Sequence, residues 1–298
     1  MAGHLIQNEL LRNLEQLELL ARRRVRSSVK GERRSKARGQ SVEFADHRNY
    51  VAGDDLRYLD WNLFGRLDRL FLKLYEEERE LPLSMFLDAS ESMTFGKPEK
   101  FDFARQVAAA MGYVALCGFD RVSVEIFPDD KTELSIRRAL REVRGKKSAL
   151  QFFHQLSQLK AHGRSHLNTA LKTGAQRARR GGIAIVISDF LDPDGYEGGL
   201  KALLAQGYQI HVLMILSRDE LEPGTYGDLK MVDSENGSIQ EVTFGKYRLK
   251  AYQETLEAYL KQLKGFCRQH GIGFNLTPSD MDLNQLLLKD LRENMLWS

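Results

Sequence analysis

The chain has 298 residues, 42% hydrophobic and 29% charged, which is the mix of an ordinary globular protein and excludes a disordered polymer, a collagen and a disulfide miniprotein. Its 44 Lys and Arg against 41 Asp and Glu leave a net charge of +3, so it is not a uniformly cationic nucleic-acid coat and any electrostatic argument must be local. At this length a substantial core is expected, because chains above about 150 residues bury roughly 70% of their unfolded surface.

Residues 5–20, LIQNELLRNLEQLELL, carry leucines at helical spacing and predict an amphipathic helix. Nine Lys or Arg follow between Arg22 and Arg38, with Glu32 the only acid. Such a block reads either as a solvated linker or as a contact for an anionic partner or nucleic acid. No aromatic residue interrupts it, which argues against a base-stacking platform. Residues 40–80 are polar and aromatic, with a turn signal at Gly53-Asp54-Asp55 and strand-like alternation over 67–75.

Beyond residue 80 strands and helices alternate. Strands are predicted at 81–88, 121–127, 182–188, 208–216 and 271–277. Helices are predicted at 100–117, 134–160 with a break near Gly145, 166–180, 196–206, 247–270 and 282–292. Residues 229–244 read as a hairpin around Asn236-Gly237. Apolar strands alternating with helices predict a doubly wound α/β fold on a mostly parallel sheet. The expected organisation is an N-terminal helix and basic arm (1–39), a signature segment (40–80), an α/β domain (81–280) and a C-terminal helix (281–298).

Cys117 and Cys267 stand at unrelated spacings, which fits neither a disulfide framework nor zinc. The longest apolar stretch, Val107 to Phe119, is too short for a membrane span and reads as a buried helix. The opening residues lack a basic region followed by an apolar one, so no signal peptide is expected. A reducing cytoplasm is the predicted location.

Three polar clusters fall on the rim at the predicted carboxyl ends of the strands, where open α/β sheets bind ligands, the first and third directly after apolar strands and the second entering a helix. They are Asp88-Ala89-Ser90-Glu91-Ser92, Gly163-Arg164-Ser165-His166-Leu167 and Ser188-Asp189-Phe190. Their carboxylates and hydroxyls are hard oxygen donors suited to Mg2+, with Mn2+ or Ca2+ as alternatives. In an extended loop Asp88, Ser90 and Ser92 point to one side. A purely structural alternative has Asp88, Ser90 and Asp189 capping the helices that follow them.

This arrangement resembles the von Willebrand factor A domain and its metal-ion-dependent adhesion site. Asp88, Ser90, Ser92 and Asp189 match that pattern outright. Ser165 falls where a threonine is usual, within Gly163-Arg164-Ser165-His166-Leu167-Asn168-Thr169-Ala170-Leu171. The upstream residues Arg48, Tyr50, Gly53, Asp54, Asp55, Arg57, Asp60 and Trp61, followed by Lys73-x-Tyr75 and the run Glu76 to Arg79, resemble the bacterial family called domain of unknown function 58. In that family the signature runs directly into a von Willebrand A-type domain. The resemblance covers about residues 40–280. It implies a non-enzymatic module that recognises an acidic residue of a partner protein through a bound metal. It also implies a MoxR-type AAA+ ATPase as partner, because members are often encoded beside one.

Read from the residues alone, the 48–61 cluster is either a charge-paired structural knot, with Arg48 and Arg57 forked onto Asp54, Asp55 or Asp60, or a docking surface. A metal-dependent hydrolase or phosphatase is the enzymatic alternative, with Glu91, Asp192 or Asp194 as base and His166 as the one histidine at hand. No P-loop, nucleophile elbow or dinucleotide fingerprint supports it.

Overall fold

The computed structural model describes residues 6, 10–14, 42–51, 54–77, 82–118, 120–128, 136–177, 181–223, 227–232, 239–244 and 246–291. The basic run at 22–38, most of the N-terminal helix expected at 5–20, and the turn Asn236-Gly237 lie outside these residues. The chain divides into two compact units, Met1–Ala21 with Leu81–Ser298 and, separately, Arg22–Glu80.

In the smaller unit, β1 (Val42–Asn49) pairs antiparallel with β2 (Phe71–Glu77), and α1 (Trp61–Leu67) lies between them in sequence. Strand structure was expected over 67–75, but it begins only at Phe71. Asp60 explains the shift: its carboxylate accepts the backbone N–H of Asn62 (3.0 Å) and Leu63 (3.1 Å) and starts a helix. Asp68, at φ 52°, ends that helix in the left-handed region. The expected charge pairs do form. Arg48 forks onto Asp54 (2.9 and 2.7 Å) and Arg57 onto Asp55 (2.6 Å). Both arginines are largely solvent-exposed, so these pairs contribute little stability. The Asp60 carboxylate instead takes Nε2 of His47 at 2.9 Å. Val51, Leu56, Trp61 and Leu67 are exposed on this unit.

The larger unit is built on a six-stranded sheet. Its strands are β3 (Leu83–Asp88), β4 (Arg121–Phe127), β5 (Arg137–Arg144), β6 (Ile183–Ser188), β7 (Gln209–Leu216) and β10 (Gly273–Pro278). Across the sheet the order is β10-β7-β6-β3-β4-β5. All neighbours are parallel except β5, which runs antiparallel to β4 at the edge. The long helices are α2 (Lys100–Cys117), α3 (Ala149–Ser157), α4 (Leu167–Arg177), α5 (Glu197–Ala205) and, after the short α6 (Arg218–Leu221), α7 (Lys246–Gln269). A two-stranded ribbon, β8 (Gly227–Val232) against β9 (Ile239–Phe244), is the predicted hairpin.

Strand alternation separates two cores. Met85, Leu87, Ile185, Ile187, Leu213 and Ile215 pack with α2, α3 and the C-terminal leucines Leu286, Leu287 and Leu291. Phe86, Ala184, Val186, Val212 and Met214 pack with α4, α5 and residues Leu263 and Cys267 of α7. Helices on both faces explain why these strands read as continuous apolar runs. The stretch Val107 to Cys117 is buried throughout, as a helix inside the first core. Both cysteines are buried, and burial pushes the Cys267 thiol up to about 12. Among the described residues no helix is long and apolar enough to cross a membrane.

One element was misjudged. Residues 137–144 are strand, and helix is confined to Ala149–Ser157 after a 3-10 turn at Lys146–Ser148. Ile136 and Leu140, both buried and four apart, read as one helical face, but they enter opposite cores, Leu140 with α2 and α3 and Ile136 with α4 and α5. Arg137 and Arg144 are exposed charges, which suit a sheet edge. Gly145, at φ 76°, turns the chain out of the strand.

Helix α4 approaches β3 so closely that a Cβ on Gly174 would come within 2.4 Å of the Phe86 ring. Gly174→Ala should therefore destabilise the fold by about 1–3 kcal/mol in a urea melt, although alanine is the better helix former. In the adjoining strands, Nε2 of His211 lies 2.8 Å from the amide oxygen of Asn275. Burial pushes this imidazole down to about 4. The unfolded chain then takes up the proton first, so this contribution to stability is intact above pH 6.5 and is lost as pH falls towards 4. Compared with His211→Gln, the natural chain should lose up to about 3 kcal/mol more stability over that window. Parallel curves for the two chains would contradict the assignment.

Candidate metal centre

The switch point of the sheet lies between β3 and β6, where successive crossovers leave in opposite directions, and there an open α/β sheet has its natural crevice. Asp88 ends β3 and Ser188 ends β6, in a parallel register that sets Leu87 beside Ile187. Ser188 therefore lands beside Asp88, and Asp189 follows one residue further along the same rim. Phe190 follows at φ 56°, in the left-handed region that a bulky side chain rarely adopts. It is held there by its own N–H to Ser188 Oγ (3.0 Å) and by the Tyr259 hydroxyl on its carbonyl.

The third loop is fixed to the first by backbone. His162 N–H donates to Ala89 O (2.7 Å), and Glu91 N–H donates to Gly163 O (2.9 Å). That pairing delivers Ser165 to Asp88.

All five residues singled out in the sequence meet at this rim. Asp88 Oδ2 accepts Ser165 Oγ (3.1 Å) and Ser188 Oγ (2.6 Å), while its Oδ1 accepts the N–H of Ser90 (3.0 Å). Ser90 Oγ lies 3.1 Å from Ser92 Oγ, and Ser92 Oγ donates to Asp189 Oδ2 at 2.9 Å. Asp88, Ser90, Ser165 and Asp189 are buried, and Ser92 is half-buried.

Capping accounts for part of this, since Asp88 and Asp189 each accept an N–H two residues on. It does not account for the hydroxyls that reach Asp88 from two other loops. Nor does Ser90, at the head of the 3-10 turn Glu91–Thr94, make a side-chain cap bond.

Two carboxylates at close quarters disfavour a second negative charge. Burial, and then the charge of Asp189, push the Asp88 carboxyl up to about 7, against hydrogen bonds from Ser188 and Ser90 that act the other way. A hard cation would relieve that repulsion, and the donors present are all oxygens, as Mg2+, Mn2+ and Ca2+ require. Among the described residues no three His, Cys, Asp or Glu side chains gather in a metal-holding group. A metal here would depend on the serine hydroxyls.

The sequence reading missed Lys100 and Glu220. Lys100 opens α2, and its side chain is only 1% exposed. Its Nζ donates to Asp189 Oδ2 (2.9 Å) and to Glu220 Oε1 (2.7 Å). Glu220 also closes a capping box with Ser217 at the start of α6. A lysine at a helix start reads as an ordinary surface charge, and nothing local announces that two carboxylates from distant loops enclose it.

Two of the three residues weighed as general bases, Asp192 and Asp194, make other contacts. Asp192 accepts the N–H of Leu167 (2.6 Å), at the start of α4, and that of Asp194 (2.9 Å). His166 Nδ1 lies 3.6 Å from Asp194 Oδ2. Two exposed apolar side chains border the site in sequence, Phe95 three residues after Ser92 and Leu191 two after Asp189.

Among curated proteins, an uncharacterized protein of Mycobacterium tuberculosis (strain ATCC 25618 / H37Rv) is 27% identical over 243 residues, 81% of this chain and 76% of its own length. An uncharacterized protein of Mycobacterium avium is 32% identical over 80 residues, 27% of this chain and 47% of that one. Among solved structures, the conserved hypothetical protein BatB of Bacteroides thetaiotaomicron is 15% identical, with a TM-score of 0.47 over 72% of this chain and 96% of that one. A von Willebrand factor type A protein of Catenulispora acidiphila is also 15% identical, with a TM-score of 0.37 over 49% of this chain and 35% of that one. Residues 46–261, well over half of the chain, match the family model "Protein of unknown function DUF58", and the chain belongs to that family.

Proposed function

We propose that this protein is a non-enzymatic interaction module whose rim site binds a divalent cation, Mg2+ first and Mn2+ or Ca2+ as alternatives. Asp88, Ser90, Ser92, Ser165 and Asp189 are the residues that would hold the metal, and the ion would bind a carboxylate of a partner protein. The observation that carries this reading is the convergence of two buried carboxylates and three hydroxyls from three separate loops at the sheet's switch point. Three of the five donors are neutral hydroxyls, and a coordination position left open among them could take a carboxylate from outside. Phe95 and Leu191, exposed and within three residues of Ser92 and Asp189 in sequence, are apolar surface of the kind that suits a protein ligand better than a free ion. The partner that the family resemblance suggests is a MoxR-type AAA+ ATPase presenting an acidic residue.

Two measurements test the reading. Magnesium at about a hundredfold excess over its dissociation constant should stabilise the chain by about 2.7 kcal/mol, raising its melting temperature by about 5 °C. In Asp88→Ala that rise should vanish while the circular dichroism spectrum is retained. Partner capture by the natural chain should disappear in EDTA and in Asp88→Ala alike. Capture that persists unchanged in both would sink the metal-bridge mechanism.

A further inference from the structure

Lys100 is in an unfavourable place for a lysine. It is the first residue of an 18-residue helix, where the macrodipole repels a cation, and it is buried. Lysine is almost never buried this fully unless paired. Here two carboxylates flank one ammonium, Asp189 from the loop after β6 and Glu220 from α6. Burial works against the ammonium, but Asp189 and Glu220 outweigh it and the lysine stays charged.

The atom Lys100 holds matters. Asp189 Oδ2 accepts both Lys100 Nζ and Ser92 Oγ, and it belongs to the same cluster that would take the metal. The other partner, Glu220, is anchored independently, since its Oε2 accepts the N–H of Ser217 at 2.6 Å. An ammonium that released Asp189 would therefore still be neutralised by a fixed carboxylate, avoiding the large cost of an unpaired buried charge. One carboxylate would suffice for a purely structural ion pair, whereas two allow an exchange.

Resting on the metal-site reading above, we propose that Lys100 is the site's tethered counter-ion: it balances Asp189 when no metal is bound, yields that oxygen to an incoming divalent cation while Glu220 retains it, and so sets the metal affinity. Lys100 and Glu220 act on the affinity in opposite directions. Without Lys100 the rim is more negative and offers Asp189 uncontested. Without the Glu220 charge, a metal at Asp189 strands the ammonium.

The test is calorimetric titration of the full chain with Mn2+ alone, on the natural protein, Lys100→Met and Glu220→Gln, with circular dichroism to verify folding. Lys100→Met should bind Mn2+ at least about tenfold more tightly, and Glu220→Gln several-fold more weakly, the scale expected for one unit charge a few ångströms away in partly buried surroundings. Tight binding confined to Lys100→Met also supports the proposal. A folded Lys100→Met with unchanged or weaker affinity overturns it while leaving the metal site standing. Should Lys100→Met fail to fold, Glu220→Gln decides: weaker binding supports the exchange, and unchanged or tighter binding overturns it. No binding by any of the three chains overturns the metal site and this proposal together.

Discussion

Two aspartates that would repel each other are held side by side because parallel strands end there. The register of β3 against β6 is fixed by apolar side chains on both faces, and it brings Asp88 and Asp189 to the same rim. Sheet register is strongly specified when both faces are buried, since a one-residue slip would turn every core side chain to the wrong side. The core therefore imposes the electrostatic problem, and the loops answer it. Ser188 and Ser165 solvate Asp88, Ser92 and Lys100 solvate Asp189, and the short backbone links from 162 and 163 to 89 and 91 hold the third loop in place.

That arrangement separates the parts of the chain by role. The two cores supply rigidity without contributing a charge to the rim. The three loops supply donors, each with few residues and many backbone bonds. The smaller unit, with its solvent-exposed Arg48–Asp54 and Arg57–Asp55 forks and its exposed Trp61, is stabilised by different means: antiparallel pairing and the Asp60 cap. The match to the family spans both units.

The fold was legible where one physical signal acted alone. Buried parallel strands such as Ile183–Ser188 read as short apolar runs, and α2 read as a helix because its apolar stretch is too long for a strand. It was not legible where a local spacing pointed to the wrong element. The four-residue spacing of Ile136 and Leu140 reads as a helix face, yet the two enter opposite cores, and only pairing of Arg137–Arg144 with β4, a contact between distant residues, decides for strand. At residues 61–67 the alternation further along masked a helix set by one capping aspartate. Four of the five candidate site residues were legible because they follow the ends of strands that the sequence announces, Asp88, Ser90 and Ser92 after β3 and Asp189 after β6, whereas Ser165 was legible only from the motif that enters α4. Lys100 and Glu220 were not, because their meaning comes from a contact across 120 positions in sequence.

The central claim is that a cation belongs among these carboxylates and hydroxyls, and anomalous diffraction from crystals soaked in Mn2+ tests it most directly. The account predicts one strong peak at the rim, at about 2.0–2.4 Å from oxygens of the Asp88, Ser90, Ser92, Ser165 and Asp189 cluster, directly or through ordered water. A soaked crystal with that rim accessible to solvent, and with manganese absent there or bound only elsewhere on the molecule, would contradict it.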